Sequence, residues 1–165
     1  MTTKPVTPAE VAGDIFDALG KRDLDAALAL VADDAVDDFV AIGEVRGRVA
    51  IRRFFDELLA AFPDFDITVR RIVADDAAAV VQWRAAGSFS GGPFQGIEPT
   101  GRQVESRGVD VMEIAGGLVR HNTIYYDGAS FARQIGMLPR AHSRADRAMT
   151  ATFNAVTRVR HKLTK

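Results

Sequence analysis

Apolar residues recur at intervals of three and four in the first third of the chain, a spacing that predicts three amphipathic helices before Pro63. The stretch Thr7-Pro8-Ala9-Glu10 has the form of a capping box with proline at the first helical position, so the first helix is expected to begin there and to end at Gly20. Asp23 can cap a second, shorter helix, and a third follows Gly47. The apolar positions of the three stripes are Val11, Ile15, Phe16, Leu19, Leu24, Leu28, Val31, Ile51, Phe54, Phe55, Leu58, Leu59 and Phe62.

After Pro63 the hydrophobic period changes from that of a helix to that of a strand. The pairs Asp75-Asp76 and Gly116-Gly117 are typical of hairpin turns. The predicted strands are Asp66 to Val73, Ala77 to Phe89, Val104 to Ile114 and Leu118 to Tyr126, with a shorter one earlier at Val36 to Val40. Helices followed by meandering strands favour an α+β fold, in which helices cover one face of a curved antiparallel sheet and close it into a cone.

The last segment is again helical in its periodicity, with Ala145, Ala148, Met149, Thr152, Phe153 and Val156 on one stripe. This amphipathic helix is expected to form an extension, residues 140–165, attached to a single domain of residues 1–139. The extension holds seven Lys or Arg residues and one acid, Asp146, whereas the remainder holds 14 basic and 21 acidic residues, a net charge of −7. A basic helix beside an acidic body favours packing on that body or on a partner subunit over binding to nucleic acid or a membrane, so we expect neither of the latter as a partner.

Composition restricts the function classes further. The chain has 165 residues, 47% of them hydrophobic, which suffices for one core. It has no cysteine, which excludes disulfides and thiolate chemistry, and no apolar run approaches the roughly 20 residues that cross a bilayer. The first ten residues lack the apolar region of a secretory signal, so the cytoplasm is the expected location.

No motif for a metal or a phosphate-bearing cofactor is evident. The glycines of "SGGPFQG" do not stand between a strand and a helix, as a phosphate-binding loop would require, and the three histidines lack metal-ligand spacing. We therefore expect no metal and no cofactor. Trp83, on a predicted strand, is expected in the core or in a cavity wall.

Several carboxyl groups fall in or beside apolar strands. Asp110 alternates with glycine and apolar residues, so it is expected on an interior face, where an acid is either paired or functional. Asp127 precedes a short helix and is either its N-cap or a functional group. Of Asp37 and Asp38 only one can face inward, because neighbours on a strand alternate.

Three stretches resemble a known family: "GSFSGGPFQGIEPTGRQV" (87–104), "RGVDVMEIAGGLVRHNTIYYD" (107–127) and "FARQIGMLP" (131–139). With the order of the elements, they resemble the nuclear transport factor 2-like superfamily and, within it, the SnoaL-like polyketide and ester cyclases, over nearly the whole chain. The resemblance implies a cone-shaped α+β barrel and an intramolecular aldol ring closure, with an aspartate as general acid/base and no metal or cofactor. The aspartate after the last strand of that family matches Asp127, which becomes the leading catalytic candidate.

The sibling Δ5-3-ketosteroid isomerases are the second match. Their strand aspartate, which stays protonated and donates a hydrogen bond, matches Asp110 in "VDVME", and their base matches Asp38 if one position is slipped. Their oxyanion tyrosine falls on Ile15 or Phe16, so half of that oxyanion hole is missing. An epoxide hydrolase ranks third, because Arg107 and Asp110 are one residue farther apart than the Arg-x-Asp pair of those enzymes.

The expected function is acid/base catalysis on a hydrophobic carbonyl compound in an apolar cup, with cyclisation ahead of isomerisation. A non-catalytic binding or assembly domain of the same fold is the alternative. The catalytic candidates are Asp127, Asp110 and Asp38, and the residues expected to contact the ligand are Asn122, Tyr126, Trp83, Phe55 and Met112. The outward-facing positions of the Asp110 strand carry both apolar and charged residues, namely Arg107, Val109, Val111 and Glu113. This mixed surface predicts a homodimer whose subunits pair through their sheets.

Overall fold

The computed structural model describes residues 6–163 of the chain. These residues form the helices α1 (Pro8–Gly20), α2 (Leu24–Leu28), α3 (Arg48–Ala61), α4 (Gly128–Ile135) and α5 (Arg144–Leu163). They also form the strands β1 (Val31–Phe39), β2 (Gly43–Arg46), β3 (Asp66–Ala74), β4 (Ala78–Ser88), β5 (Gln103–Ala115) and β6 (Leu118–Tyr126).

The six strands form one open, curved sheet in the order β2-β1-β6-β5-β4-β3. The pairs are antiparallel except for β1 with β6, which run parallel. The prediction of an antiparallel sheet fails at this one pair, since β1 and β6 are not joined by a hairpin: β2, α3, β3, β4 and β5 lie between them in the sequence. Irregular registers in three pairs mark bulges, which bend a sheet. The predicted α+β cone is confirmed, with helices against the concave face.

The helix α1 begins where the capping box predicts. The Thr7 N–H donates to Glu10 Oε2 at 2.8 Å, and the Glu10 N–H donates to Thr7 Oγ1 at 3.3 Å, so two donors of the first turn are satisfied. The apolar stripe of α1, which includes Val11 and Ile15, is buried in one cluster with Ile51 of α3 and the concave face of the sheet. The core therefore lies between the helices and the sheet.

The second helix is shorter than its spacing predicts. It ends at Leu28, and Val31, which the pattern assigns to the helical stripe, begins β1. Val31 is buried by pairing with Val119 of β6, so the sheet provides the burial that the pattern attributes to a helix. A buried position alone cannot distinguish these two environments. Of the strand predicted at Val36 to Val40, all but Val40 falls in the second half of the nine-residue strand β1, and β2 is its hairpin partner.

The loop between β4 and β5 packs directly on the C-terminal end of α3. The Gly91 N–H donates to the Ala61 carbonyl at 3.0 Å, so the loop satisfies an acceptor that the helix leaves free. A Cβ at Gly91 would lie 1.9 Å from the Ala60 carbonyl oxygen, an approach that only glycine allows. Arg22 donates to the Leu59 carbonyl at 2.8 Å from the other side. These contacts fix the end of α3 and the phenylalanines near it.

The helix α5 has the amphipathic form that the sequence predicts, and it extends away from this body. Its side chains are exposed along most of its length, including Phe153 of the apolar stripe, which is 69% exposed. Its basic side chains include Arg144, Arg147 and Arg158. Among residues 6–163, no helix has the length and apolar character needed to cross a membrane.

Candidate active site

The helices and the concave face of the sheet enclose a largely apolar cup with a volume of about 140 Å³. An apolar cavity of roughly 150 Å³ takes up a benzene-sized molecule, so the cup accommodates about one ring, and a larger ligand must extend through its open side. The titratable groups on its wall are Asp110 and Tyr126. The cup is lined by Phe16, Leu19, Phe39, Phe54, Phe55, Leu58, Phe62, Phe65, Ile67, Trp83, Ala85, Ala86, Gly87, Phe94, Val104, Ser106, Asp110, Ile124, Tyr126 and Phe131.

Aromatic rings form one side of the cup. The loop between β4 and β5 carries Phe94, whose ring centroid lies 5.6 Å from that of Phe54, 6.2 Å from Phe62 and 6.4 Å from Phe131. Edge-on contacts of this kind contribute about 0.5–1.5 kcal/mol each beyond the burial of their area. The glycine-rich loop therefore has a structural use: it seats an aromatic side chain in the wall of the cup.

Asp110 is the carboxyl group of the cup. It is 7% exposed and accepts two hydrogen bonds, from Trp83 Nε1 to its Oδ1 at 2.7 Å and from Asn122 Nδ2 to its Oδ2 at 2.9 Å. The donors lie on the two strands that flank β5, so the sheet itself brings them to the acid. A Cβ at Gly108 would lie 2.3 Å from Cζ2 of Trp83, so this glycine lets the indole lie across β5 and reach Asp110.

The environment of Asp110 brings the pKa of its carboxyl group close to neutral pH. Burial raises the pKa of Asp110 to about 6, while the hydrogen bonds from Asn122 and Trp83 oppose the rise because they stabilise the charged form. A buried carboxylate that is held in one orientation and has this pKa can both take up and release a proton at neutral pH.

Asp37 lines a second, smaller cavity of about 40 Å³, which we call the deep cavity. The parallel pairing of β1 with β6 places Asp37 beside Asn122, and the two residues line the deep cavity together with Asp110. Burial and the negative charge of Asp110 raise the pKa of Asp37 to about 7, and hydrogen bonding from Asn122 offsets part of the rise. Because Asp110 lines both cavities, it connects the cup with the deep cavity.

The structure corrects the choice between Asp37 and Asp38. The buried positions of this half of β1 are Ala35, Asp37 and Phe39, whereas Asp38 is half-buried on the opposite face. The alternation along the strand left open which of the two acids faces inward, and Asp38 became a catalytic candidate only through a slipped match to another family; the structure places Asp37, not Asp38, on the inward face. Strict alternation from Phe39 was the sequence signal that could have identified Asp37.

Asp127 is the N-cap of α4. Its Oδ1 accepts a hydrogen bond from the Ser130 N–H at 2.8 Å. The side chain is exposed and lines an open groove on the outer side of the sheet together with Arg107 and Tyr125. Asp127 is not among the residues that line the cup. The structure therefore places it in the capping role that the sequence offered as the alternative.

The five residues expected to contact a ligand divide between the two cavities. Trp83 and Tyr126 line the cup, Asn122 and Met112 line the deep cavity, and Phe55 lines both. Burial raises the pKa of Tyr126, so its hydroxyl stays protonated near neutrality and can donate a hydrogen bond. Within residues 6–163, no group of three or more His, Asp or Glu side chains is arranged to hold a metal ion.

Comparison with known families identifies one match. The family model described as SnoaL-like polyketide cyclase matches residues 9–135, which include α1 from its second residue, α2 to α4, the whole sheet and every residue of both cavities. The matched segment ends before α5 begins. No curated protein matches the chain at a significant level.

Solved structures share the fold at low sequence identity. A proposed SnoaL-like polyketide cyclase from Jannaschia sp. CCS1 has 23% identity and a TM-score of 0.72, covering 84% of this chain and 99% of that one. IdmH, a proposed polyketide cyclase from Streptomyces antibioticus, has 25% identity and a TM-score of 0.66, covering 78% and 98%. AclR, a proposed hydroxylase from Streptomyces galilaeus, has 20% identity and a TM-score of 0.70, covering 92% and 94%. A shared fold therefore does not decide the reaction.

Proposed function

The chain belongs to the SnoaL-like polyketide cyclase family, and we propose that it is an acid/base enzyme that closes a carbon ring in a hydrophobic carbonyl compound. The observation that carries the proposal is Asp110, a buried carboxyl that two N–H donors hold in place and that also lines an apolar cup. A scaffold gains stability by filling such a space with side chains, whereas a catalyst needs the space for its substrate.

In the proposed reaction, the Asp110 carboxylate removes a proton from a carbon next to a carbonyl group. The Tyr126 hydroxyl donates a hydrogen bond to the enolate oxygen that forms. The enolate carbon then attacks a second carbonyl of the same molecule, a carbon–carbon bond forms, and the new alkoxide takes the proton back from Asp110. A positioned base contributes about 10² to 10⁴-fold, and an oxyanion donor about 10² to 10³-fold.

The cup also restricts the class of substrate. Its wall is mostly aromatic and aliphatic, and its volume of about 140 Å³ fits the reacting ring with the rest of the molecule in the opening. Flat aromatic or polycyclic ketones match the phenylalanine rings, because offset and edge-on ring contacts are favourable. We therefore propose an aromatic polyketide-like ketone as the substrate class.

An isomerase is the second candidate, and the pair of buried carboxyls, Asp37 and Asp110, favours it. Isomerisation starts with the same enolate and returns the proton to a different carbon. Tyr126 would then replace the oxyanion tyrosine that the related isomerases carry at the position of Ile15 or Phe16. The products differ clearly: ring closure forms a carbon–carbon bond, whereas isomerisation moves a double bond.

Binding can be followed directly, because Trp83 is the single tryptophan of the chain and lies in the cup wall. A panel of aromatic ketones is titrated against the protein while Trp83 fluorescence is recorded. Proton removal is then measured by NMR as the exchange of carbon-bound hydrogen for deuterium in D2O. This measurement detects the first step even when the full substrate is not in the panel.

The decisive comparison is between two Asp→Asn variants. Asp110→Asn should bind ketones and reduce exchange by about 10²-fold or more, since the base is removed. Asp38→Asn, on the outward face of β1, is the matched control and should exchange at the unmodified rate. Binding without exchange in the unmodified protein would make the chain a binding domain, and equal exchange in Asp110→Asn would refute the role of Asp110.

We also propose that the chain forms a homodimer through the outer face of its sheet. The helices α1, α3 and α4 pack on the concave face, while Val73 and Tyr125 of the outer face are 52% and 50% exposed. Val73 pairs with Val80, and Val80 pairs with Val111, so the apolar positions form a continuous row across three strands. A two-fold contact would place this row against its own copy and remove it from water.

A further inference from the structure

We propose that the deep cavity holds one buried water molecule, through which Asp110 and Asp37 exchange a proton. Asp37 then stores a proton for the catalytic group without touching the ligand, because it lines the deep cavity and not the cup. This inference rests on the proposed function only in one respect, namely that the stored proton serves catalysis by Asp110. The water and the coupling of the two acids are properties of the ligand-free protein.

The first support is an acceptor without a partner. Asn122 Oδ1 is buried and has no hydrogen-bond partner, although its Nδ2 donates to Asp110 at 2.9 Å. Rotating the amide would turn its oxygen toward the Asp110 carboxylate, so a flip does not solve the problem. A water molecule beside Oδ1 would satisfy it, as buried waters do for polar groups that the protein leaves unpaired.

The second support is the size of the space and the three polar residues on its otherwise apolar wall. The deep cavity has a volume of about 40 Å³, larger than the roughly 10–15 Å³ that one water molecule requires. A buried water needs two to four polar partners. Asn122, Asp37 and Asp110 all line the deep cavity, and their side-chain oxygens offer three.

The third support is that the two acids line the same cavity and that no cationic side chain is among the described residues that line it. The helices α1, α2 and α3 contribute only apolar side chains to the deep cavity. The strand β6 contributes Val119 and Asn122. Among the described residues that line it, Asp37 and Asp110 are the only ones that titrate. The charge of Asp110 therefore acts on Asp37 directly, and it contributes to the raised pKa of Asp37.

The proton transfer balances without any further reactant. Neutral Asp110 gives its proton to the water while the water gives one of its own protons to the Asp37 carboxylate. One O–H bond of the water breaks and another forms, so the water is unchanged. Asp110 is again a carboxylate and can accept the next proton from the cup, and the reverse transfer reprotonates it.

A high-resolution crystal structure of the ligand-free protein tests the water. We expect one water within about 3 Å of Asn122 Oδ1 and of at least one carboxyl oxygen. Val119→Ile adds a methylene group to the wall of the deep cavity and should displace the water, whereas Val11→Ile adds the same group to a core position outside the cavity. Val31→Ile serves the same purpose if Val119→Ile does not fold. A dry cavity in the unmodified protein, or a protonated Asp37 that donates directly to Asn122 Oδ1, overturns the proposal.

NMR titration of the aspartate carboxyl carbons tests the coupling of the two acids. Asp110→Asn removes the opposing charge and should lower the pKa of Asp37, and an unchanged pKa of Asp37 overturns the proposal.

In the deuterium exchange assay, Val119→Ile should slow exchange while Val11→Ile does not. Loss of the water with an unchanged exchange rate would leave the water purely structural and refute the proton exchange. If no ketone exchanges at all, the proposed function fails, whereas the water and the coupling are still decided by the first two measurements.

Discussion

The indole nitrogen of Trp83 lies 2.7 Å from Oδ1 of Asp110, although the two residues are not opposite each other in the sheet. Trp83 pairs in register with Gly108, and Asp110 pairs with Val81. The ring reaches diagonally along β5 because Gly108 has no Cβ to obstruct it. Since the indole N–H stabilises the carboxylate form of Asp110, the glycine, the tryptophan and the acid act as one unit.

We expect Gly108→Ala to disrupt this unit. The added Cβ would lie 2.3 Å from the Trp83 ring, so the ring must shift and its hydrogen bond to Asp110 is lost. The pKa of Asp110 should then rise above about 6, and the emission maximum of Trp83 should move. NMR titration and fluorescence measure the two effects.

Gly92→Ala is the matched control, because a Cβ at Gly92 meets no atom within 4 Å. Trp83→Phe provides a second variant, since it removes the N–H donor without adding an atom beside Gly108. If the pKa of Asp110 is unchanged in both Gly108→Ala and Trp83→Phe, the hydrogen bond does not regulate the acid.

The stability of the protein should fall as the pH rises from about 4 to about 7. The folded state raises the pKa of Asp37 from 3.8 to about 7 and that of Asp110 from 3.8 to about 6. It therefore binds more protons than the unfolded chain in this window, and their contribution to stability is lost as each group ionises. Urea unfolding at several pH values, followed by Trp83 fluorescence, gives the slope.

Asp37→Asn should flatten this pH dependence, because the variant has no carboxyl group to ionise at that position. Asp38→Asn, its neighbour on the outward face, should keep the unmodified slope. A slope that is the same in all three proteins would show that the pKa of Asp37 is not raised in the folded state.

Asp127→Ala should lower the free energy of unfolding by about 1 kcal/mol and leave catalysis intact. The substitution removes the acceptor of the Ser130 N–H at the start of α4, and loss of an N-cap typically has this cost. Asp127→Ser can restore the cap and should recover most of the stability. A fall of about 10²-fold in proton exchange for Asp127→Ala, without loss of stability, would instead support the catalytic role implied by the family resemblance.

Light scattering at micromolar concentration should give the mass of a dimer. Tyr125→Lys places a charge on the outer face of the sheet and should produce monomers. Val49→Lys, on α3 at a position that is 78% exposed, is the control and should leave the dimer unchanged. A monomeric mass for the unmodified protein would contradict the proposed assembly.

Deletion of the residues after Pro139 should weaken the dimer or lower its melting temperature. The apolar stripe of α5 is exposed in the single chain, and its basic side chains complement the acidic body, so packing on the body of one of the two subunits is expected. Lipid vesicles and duplex DNA should bind neither the full chain nor the truncated one. Binding of either by the full chain alone would assign the helix to that partner.

Local sequence patterns determined much of this protein. The periods of 3.6 and 2 residues predicted the α+β class, the capping box before α1 and the inward face of Asp110, because each depends only on neighbours along the same element. Capping chemistry is equally local, which is why the sequence could offer the N-cap as one of the two roles of Asp127.

Strand order was decided only by the tertiary structure. The parallel pairing of β1 with β6 brings Asp37 beside Asn122, and the register of β4 with β5 brings Trp83 to Asp110. Residues so distant in sequence meet because whole faces of the helices and the sheet are buried against one another. The free energy gained by this burial depends on the complete fold and not on any single segment of the sequence. The pattern along β1 can show that one acid of a pair faces inward, but only its neighbours across the sheet make Asp37 part of a site.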